Sequence, residues 1–195
     1  MEKKLIISLR IGKSAARLFN KKGYLETNMD NIAAAAKLSK GGIYHYFSSK
    51  DEILYFVLTN YMDLILDELE TQLDKIEDDL LKIQFIISRH IDLYTNNLSE
   101  AKTLLHEARC LPKKYYNLIA AKEREYYRIV ADVISGFLGD QGKNNKAQVT
   151  SLTFLLFGMC NWIYSWYDPK GAITPENLSQ MIWAVFSKGV VDLRA

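Results

Sequence analysis

The residues best placed to do chemistry lie at positions 38–54, LSKGGIYHYFSSKDEIL, where two adjacent glycines precede three aromatic rings set around a histidine. Each glycine costs about 1 kcal/mol relative to Ala inside a helix, so a segment selected only for helix stability would not pair them. Stripping side chains from a helix start lets a partner approach the backbone closely. On a wheel of about 100° per residue, Ile43 and Phe47 share the inward side, Gly41, Gly42 and His45 face outward, and Tyr44 and Tyr46 flank them. A bare helix start with tyrosine hydroxyls on either side and the Lys40 and Lys50 ammonium groups nearby suits phosphate oxygens and base edges in a major groove. Catalytic and metal chemistry find no comparable support. His90, His106 and Glu107 lack H-E-x-x-H spacing, Cys110 and Cys160 are no short-spaced ligand pair, and neither a G-x-S-x-G elbow nor a phosphate-binding glycine loop is present. The expectation is a protein that is not an enzyme, with no catalytic residue, metal or cofactor.

The elements that must position this stretch are helical. Three prolines in 195 residues and no sustained two-residue alternation predict a chain that is nearly all helix. A first helix is expected over 3–22, with Ile11, Ala15, Leu18 and Phe19 on one face and Gly23 as a left-handed cap. Asn28 is placed to cap a short second helix carrying Met29, Ile32, Ala33 and Ala36 on one stripe. Lys37 and Leu38 make the turn, Ser39 caps the third helix, and SSKDE opens a fourth over 50–76. Two short helices about a tight turn have the layout of a helix-turn-helix. Charge agrees: residues 1–50 hold ten Lys and Arg against three acids, whereas 51–195 hold fifteen against twenty. A basic head on an acidic body points to a polyanion partner for the head alone.

Residues 17–54, RLFNKKGYLETNMDNIAAAAKLSKGGIYHYFSSKDEIL, closely resemble the N-terminal DNA-binding domain of tetracycline-repressor-like (TetR) regulators. The resemblance rests on the G-Y turn, the polar cap before MDNIA, LSKGGIYHYF and SKDE at matching spacings. It implies an all-α protein, with a three-helix helix-turn-helix domain over 1–50 and a helical ligand-binding and dimerisation domain over 51–195, about nine helices in all. It further implies that Thr27, Asn28, Ser39, Lys40, Gly41, Tyr44, Tyr46 and Lys50 touch double-stranded DNA, with Gly42 and His45 at more variable positions of the same surface. A dimer reading a palindromic operator follows from the same resemblance.

The body adds helices at about 79–97, 99–109, 113–138, 146–167 and 175–193, separated by short breaks at 111–112, 139–145 and 168–175. Residues 149–167, VTSLTFLLFGMCNWIYSWY, carry no charge. They are long enough to weigh as a membrane span, but five Ser, Thr and Asn residues favour a helix buried on both sides. Leu152, Leu155, Leu156, Met159 and Ile163 form one face and Phe154, Phe157, Asn161 and Tyr164 the other. The first face is expected to meet a second subunit together with Leu178, Met181, Ile182, Val185 and Gly189 of the last helix. The second is expected to line a ligand cavity. Polar groups embedded in apolar helices, among them His90, Tyr94, His106, Arg109, Tyr127, Asn161, Trp162 and Trp166, are the candidates for ligand contact, although such groups are commonly satisfied by a neighbour.

The tail FGMCNWIYSWYDPKGAITPENL resembles TetR regulators that respond to acyl-coenzyme A thioesters of fatty-acid or sterol-ring degradation, and HEARCLP at 106–112 resembles them more weakly. The resemblance implies a repressor released by an acyl-CoA effector held by His106, Arg109, Tyr127, Phe154, Phe157, Asn161 and Trp162. That branch often carries a basic residue where this chain has Ser165, which leaves Arg109 or Lys170 as candidates to substitute at the coenzyme phosphates. A multidrug-sensing repressor with an aromatic cation pocket stays open as an alternative, with a helical enzyme or membrane-associated protein as a distant one. Two widely spaced cysteines in apolar or helical contexts, and an initial apolar run ending at Arg10, too short for a signal-peptide core, favour the cytoplasm.

Overall fold

The computed structural model describes residues 2–168 and 170–192, and among them every regular element is helical. In chain order these are α1 (Glu2–Lys22), α2 (Met29–Ala35), α3 (Lys40–Tyr44), α4 (Lys50–Leu66), α5 (Leu69–Leu73), α6 (Asp79–Asn96), α7 (Leu98–Glu107), α8 (Lys113–Leu138), α9 (Asp140–Asn144), α10 (Lys146–Asn161) and α11 (Pro175–Asp192). Short 3-10 turns follow α7 at Ala108–Cys110 and α10 at Trp162–Ser165. The all-α expectation holds, with more helices than the nine expected. The predicted fourth helix is divided into α4 and α5, and the predicted break at 139–145 contains α9. The last helix was expected to reach Leu193, which lies outside the described residues.

Packing divides the chain into two compact units, Met1–Leu64 with Asn97–Lys122, and Ile65–Asn96 with Glu123–Ala195. Within the first unit, α1 packs on α2 and α7, and α2 on α3. Its core is built from Ile11, Ala15, Ala16 and Phe19 of α1, Ile32 and Ala33 of α2, Ile43 of α3, and Phe47. Helix α1 stops at Gly23, whose φ of 86° only glycine adopts without penalty and whose N–H donates to the Phe19 carbonyl at 2.8 Å. The turn between α2 and α3 passes through Lys37 at φ 56°, and the Leu38 N–H returns to the Ala33 carbonyl at 2.9 Å.

Within the second unit, α11 packs on α6, and α10 packs on α6, α9 and α11. Ile83, Ile86, Ile87, Ile91 and Tyr94 of α6 are buried, as are Val130, Ile134 and Phe137 of α8, Leu152, Leu156 and Cys160 of α10, and Leu178, Ile182 and Phe186 of α11. The break after α4 is set from a distance in sequence. The Arg89 guanidinium of α6 donates to the Asp67 carbonyl at 2.6 Å and reaches the Ile65 carbonyl at 3.5 Å, while Glu68 turns the chain at φ 51°. No described helix is long and apolar enough to cross a membrane.

Candidate nucleic-acid interface and ligand site

Two side-chain caps shape the helix-turn-helix. The Asn28 and Asn31 side chains exchange bonds with each other's backbone N–H, at 2.9 Å to Asn31 and 3.3 Å to Asn28, which satisfies two of the donors left open at the start of α2. Ser39 caps α3 by accepting from the Gly42 N–H at 3.0 Å. With Ile43 and Phe47 buried, α3 presents Lys40, Gly41, Tyr44 and His45 to solvent, with Tyr46 half-buried beside them.

The two glycines turn out to do different jobs. A Cβ on Gly41 would meet nothing within 4 Å, so this is the bare surface expected from the sequence. A Cβ on Gly42 would lie 3.0 Å from the Ser39 hydroxyl oxygen, so this glycine makes room for the cap of its own helix.

The cations also separate. The Lys40 amine pairs with Asp30 at 3.0 Å on an exposed surface, where the carboxylate can be exchanged for a phosphate at little cost. The Lys50 amine instead donates to the Tyr24 carbonyl at 2.7 Å and the Leu25 carbonyl at 3.3 Å, and sits 4.2 Å from the centre of the Tyr24 ring. Tyr24 is buried and its hydroxyl donates to Asp51, while its N–H donates to Glu107 of α7 at 3.3 Å. Burial first, then the Asp51 carboxylate, push the Tyr24 phenol's pKa up, which keeps it a donor. Thr27 is likewise buried, with its hydroxyl on the Gly23 carbonyl at 2.8 Å. Lys50 and Thr27, both expected at DNA, thus have structural partners at the α1–α2 turn. The contacts of Asp51 and Glu107 with Tyr24 are not legible in their own stretches, because they arise only once α4 and α7 meet that turn.

The expected ligand residues are divided between the two units. His106 and Arg109 are exposed members of the first unit, whereas Tyr127, Phe154, Phe157, Asn161 and Trp162 belong to the second. Phe154 and Trp162, expected to line a cavity, are 61% and 62% exposed. They share a stripe of α10 and its 3-10 turn with Leu155 and Trp166, and α11 exposes Met181, Val185 and Gly189. Leu152, Leu156, Leu178 and Ile182, expected at a subunit interface, are buried inside the unit, and Met159 is half-buried. The outward apolar surface of α10 and α11 is therefore displaced around α10 by the packing of Leu152 and Leu156 into the core. The Tyr127 hydroxyl donates to Thr150 at 3.1 Å.

Asn161 and Phe157 instead join a cluster with His90, Tyr94 and Tyr126. The His90 ring lies 3.0 Å from the Tyr126 hydroxyl through Nδ1 and 3.0 Å from the Asn161 Oδ1 through Nε2. Phe157 stacks on Tyr126 with centroids 5.3 Å apart, and the His90 ring lies nearly parallel to Tyr94. Burial pulls the His90 pKa down to about 4, against a smaller opposing push from Asn161, so the imidazole is neutral at pH 7. With Nε2–H donating to Asn161, Nδ1 accepts from Tyr126. Tyr94 is 1% exposed and its hydroxyl has no hydrogen-bond partner among the described residues. His90 and Tyr94 stand one helical turn apart on α6, which is the sequence signal that marks them. In the first unit, a cleft of about 220 Å³ is lined by residues including Leu9, Lys13, Phe56, Tyr61 and Glu100, none of them among the expected ligand residues. Both cysteines are free, and burial pushes the Cys160 thiol up to about 12.

Comparison with known proteins agrees with this architecture. The HTH-type transcriptional repressor KstR2 of Mycolicibacterium smegmatis is 21% identical over 180 residues, spanning 91% of this chain and 87% of that protein. The HTH-type transcriptional regulator HbdR of Aromatoleum sp. is 40% identical over 65 residues, 33% of this chain and 28% of its own. Among solved structures, a TetR-family transcriptional regulator from Bordetella parapertussis superposes with a TM-score of 0.87 at 29% identity, covering 92% of this chain and 93% of its own. AibR in complex with isovaleryl coenzyme A and operator DNA superposes with a TM-score of 0.77 at 26% identity, covering 92% and 97%. Residues 11–55 match the model of bacterial regulatory proteins of the tetR family, and residues 80–190 match the tetracyclin repressor-like C-terminal domain. The chain belongs to the TetR family of transcriptional regulators.

Proposed function

We propose that this regulator is a cytoplasmic homodimeric repressor that binds a palindromic operator through α3 and is released by an acyl-CoA thioester. The observation that carries the DNA reading is Gly41, a position on the outward face of a capped helix where even a Cβ would meet nothing within 4 Å. Around it, Asn28, Ser39, Lys40, Tyr44, His45 and Tyr46 supply the amides, hydroxyls and charge that phosphates and base edges take, with Gly42 making room for the cap that holds them. The exposed apolar stripes of α10 and α11 support a second copy of the chain as their partner, since two recognition helices about one turn of DNA apart read two half-sites.

The effector reading is supported by the likeness to AibR, whose complex holds both isovaleryl coenzyme A and operator DNA. It is also supported by the aromatic cluster around His90, whose described hydrogen bonds and ring contacts include no carboxylate to attract a cationic drug. Helices α4 and α8 each run from one compact unit into the other. With the α6–α7 junction at 96–97, they are the covalent links through which an effector can reach the DNA-binding helices. Moving the population from 99% competent to 1% requires the effector to favour the released state by about 5.5 kcal/mol, and linkage requires DNA to weaken effector binding by the same factor. Selection of bound sequences from a random DNA pool tests the first half, with an inverted repeat as the expected product. Titrating acyl-CoA thioesters of four to eighteen carbons into the complex tests the second. Retention of the complex at every chain length would reject the thioester and turn attention to cationic drugs.

A further inference from the structure

Buried polar groups in folded proteins are nearly always paired, because a hydroxyl taken out of water without a partner loses its hydration for nothing. Tyr94 breaks that rule in the core of the second unit, and it does so beside a network whose own partners are settled. His90 Nε2–H donates to Asn161 Oδ1 and Tyr126 O–H donates to His90 Nδ1, each at 3.0 Å. Among the described residues that leaves two kinds of donor uncommitted, the Tyr94 hydroxyl and the Asn161 amide N–H pair. No charged side chain takes part in the described hydrogen bonds or ring contacts of these residues. Asn161, Tyr126 and Phe157 are half-exposed, so the cluster is open to a ligand from their side, while the Tyr94 hydroxyl is closed to solvent.

We infer that the cluster of His90, Tyr94, Tyr126, Phe157 and Asn161 is an effector subsite that selects a neutral carbonyl oxygen, held by the Tyr94 hydroxyl and the Asn161 amide, with the attached hydrocarbon against Phe157. This rests on the reading that the effector binds the second unit. A thioester or ketone carbonyl accepts two hydrogen bonds without bringing a charge into a site that keeps even its histidine neutral. Among the described contacts of the cluster a carboxylate meets no cation to offset its desolvation, and the Asn161 N–H pair offers an ammonium no acceptor. The donor set therefore separates a thioester from the free acid made by its hydrolysis.

The test uses the full-length protein and four matched coenzyme A derivatives of a six-carbon chain. These are the thioester, its analogue with methylene in place of sulfur and the carbonyl kept, the S-alkyl thioether without the carbonyl, and the free acid with coenzyme A added separately. Calorimetry should show the two carbonyl compounds binding alike and the thioether about tenfold more weakly. Tyr94→Phe and Asn161→Asp should each weaken the thioester about tenfold and leave the thioether unchanged. The melting temperature of ligand-free Tyr94→Phe should be no lower than that of the wild type, because only an unpartnered hydroxyl is lost. Equal binding of thioester and thioether to the wild type, or equal loss of both in the variants, overturns the carbonyl subsite while the coenzyme A reading stands. If no coenzyme A derivative binds, a methyl ketone of the same chain and its matching carboxylate decide. Saturable ketone binding that Tyr94→Phe weakens keeps the subsite and rejects the coenzyme. Absence of ketone binding rejects both.

Discussion

Residues 28–47 and α10 with its following turn bury opposite amounts of what their sequences advertise, and the contrast shows where each gets its geometry. In the first stretch the decisive contacts are local. Asn28 caps three residues ahead, Ser39 does the same, and Ile43 and Phe47 are one turn apart. The inward and outward sides follow from positions adjacent in sequence. In α10 both sides are apolar, so periodicity offers two equivalent solutions and the neighbours choose. Leu152, Leu156 and Cys160 go inward against the rest of the second unit, and Phe154 and Leu155 go outward.

The hardest way to break that contrast is to place bulk on the locally determined face. Gly41→Leu should leave the fold and melting temperature close to wild type, because the space around this position is open. Operator affinity should fall to the non-specific level, a loss of about 1,000-fold or more. A gel shift that finds the variant still bound to its operator would remove α3 from the groove.

The matching test on α10 and α11 addresses the proposed subunit surface. Val185→Glu places a carboxylate on a residue that is 67% exposed, so the isolated subunit should fold normally. In a two-fold interface the substitution occurs twice, and at about 2 kcal/mol or more for a central position the dimer should weaken by two to three orders of magnitude. Light scattering across concentration reads this directly. A dimer of unchanged affinity would assign these stripes to some other partner.

Lys50 sharpens the comparison because its role is not visible in its own stretch. Lys50→Met should cost about 1–3 kcal/mol of stability through the lost charge-assisted bonds to the Tyr24 and Leu25 carbonyls. The slope of log operator affinity against log salt should stay the same. A slope flatter by about one unit would return Lys50 to the phosphates. This position also marks how far the sequence is readable. The helical class, the Gly23 stop, the Ser39 cap and the 38–47 turn-and-helix are written in residues within a few positions of each other. The end of α4 is not, because nothing between Ile65 and Leu69 breaks a helix by its own preference. Arg89, on α6, takes the released carbonyls and stabilises Glu68 in the left-handed region. His90 and Asn161 stand out singly in the sequence, but their joining with Tyr126 is hidden for the same reason: three helices must pack before they form one hydrogen-bonded network.

That network gives the second unit a pH response. The His90 pKa is about 4 in the folded protein against 6.5 for the free side chain. The unfolded chain therefore binds the extra proton first as pH falls, and stability drops between pH 6.5 and 4 rather than rising. Because the residue is half-buried rather than sealed, the loss should be about 1–2 kcal/mol across that window. His90→Gln should flatten this part of the pH–stability curve. An equally steep curve in the variant would place the acid sensitivity on other groups.

The smallest effect tests the local rule within a single turn of helix. In Gly41→Ala the new methyl meets open space, and the chain loses unfolded-state freedom, so stability should rise by about 0.5 kcal/mol. In Gly42→Ala the same methyl lies 3.0 Å from the Ser39 oxygen that accepts the Gly42 N–H, so the cap must shift and the gain is cancelled or reversed. Thermal melts of the two variants should therefore move apart, with Gly41→Ala raised and Gly42→Ala at or below the wild type. Operator binding should follow the other order, with the outward Gly41→Ala more harmful to affinity than the inward Gly42→Ala. If both variants shift stability equally, the Ser39 cap does not constrain Gly42, and the paired glycines revert to a single clearance role.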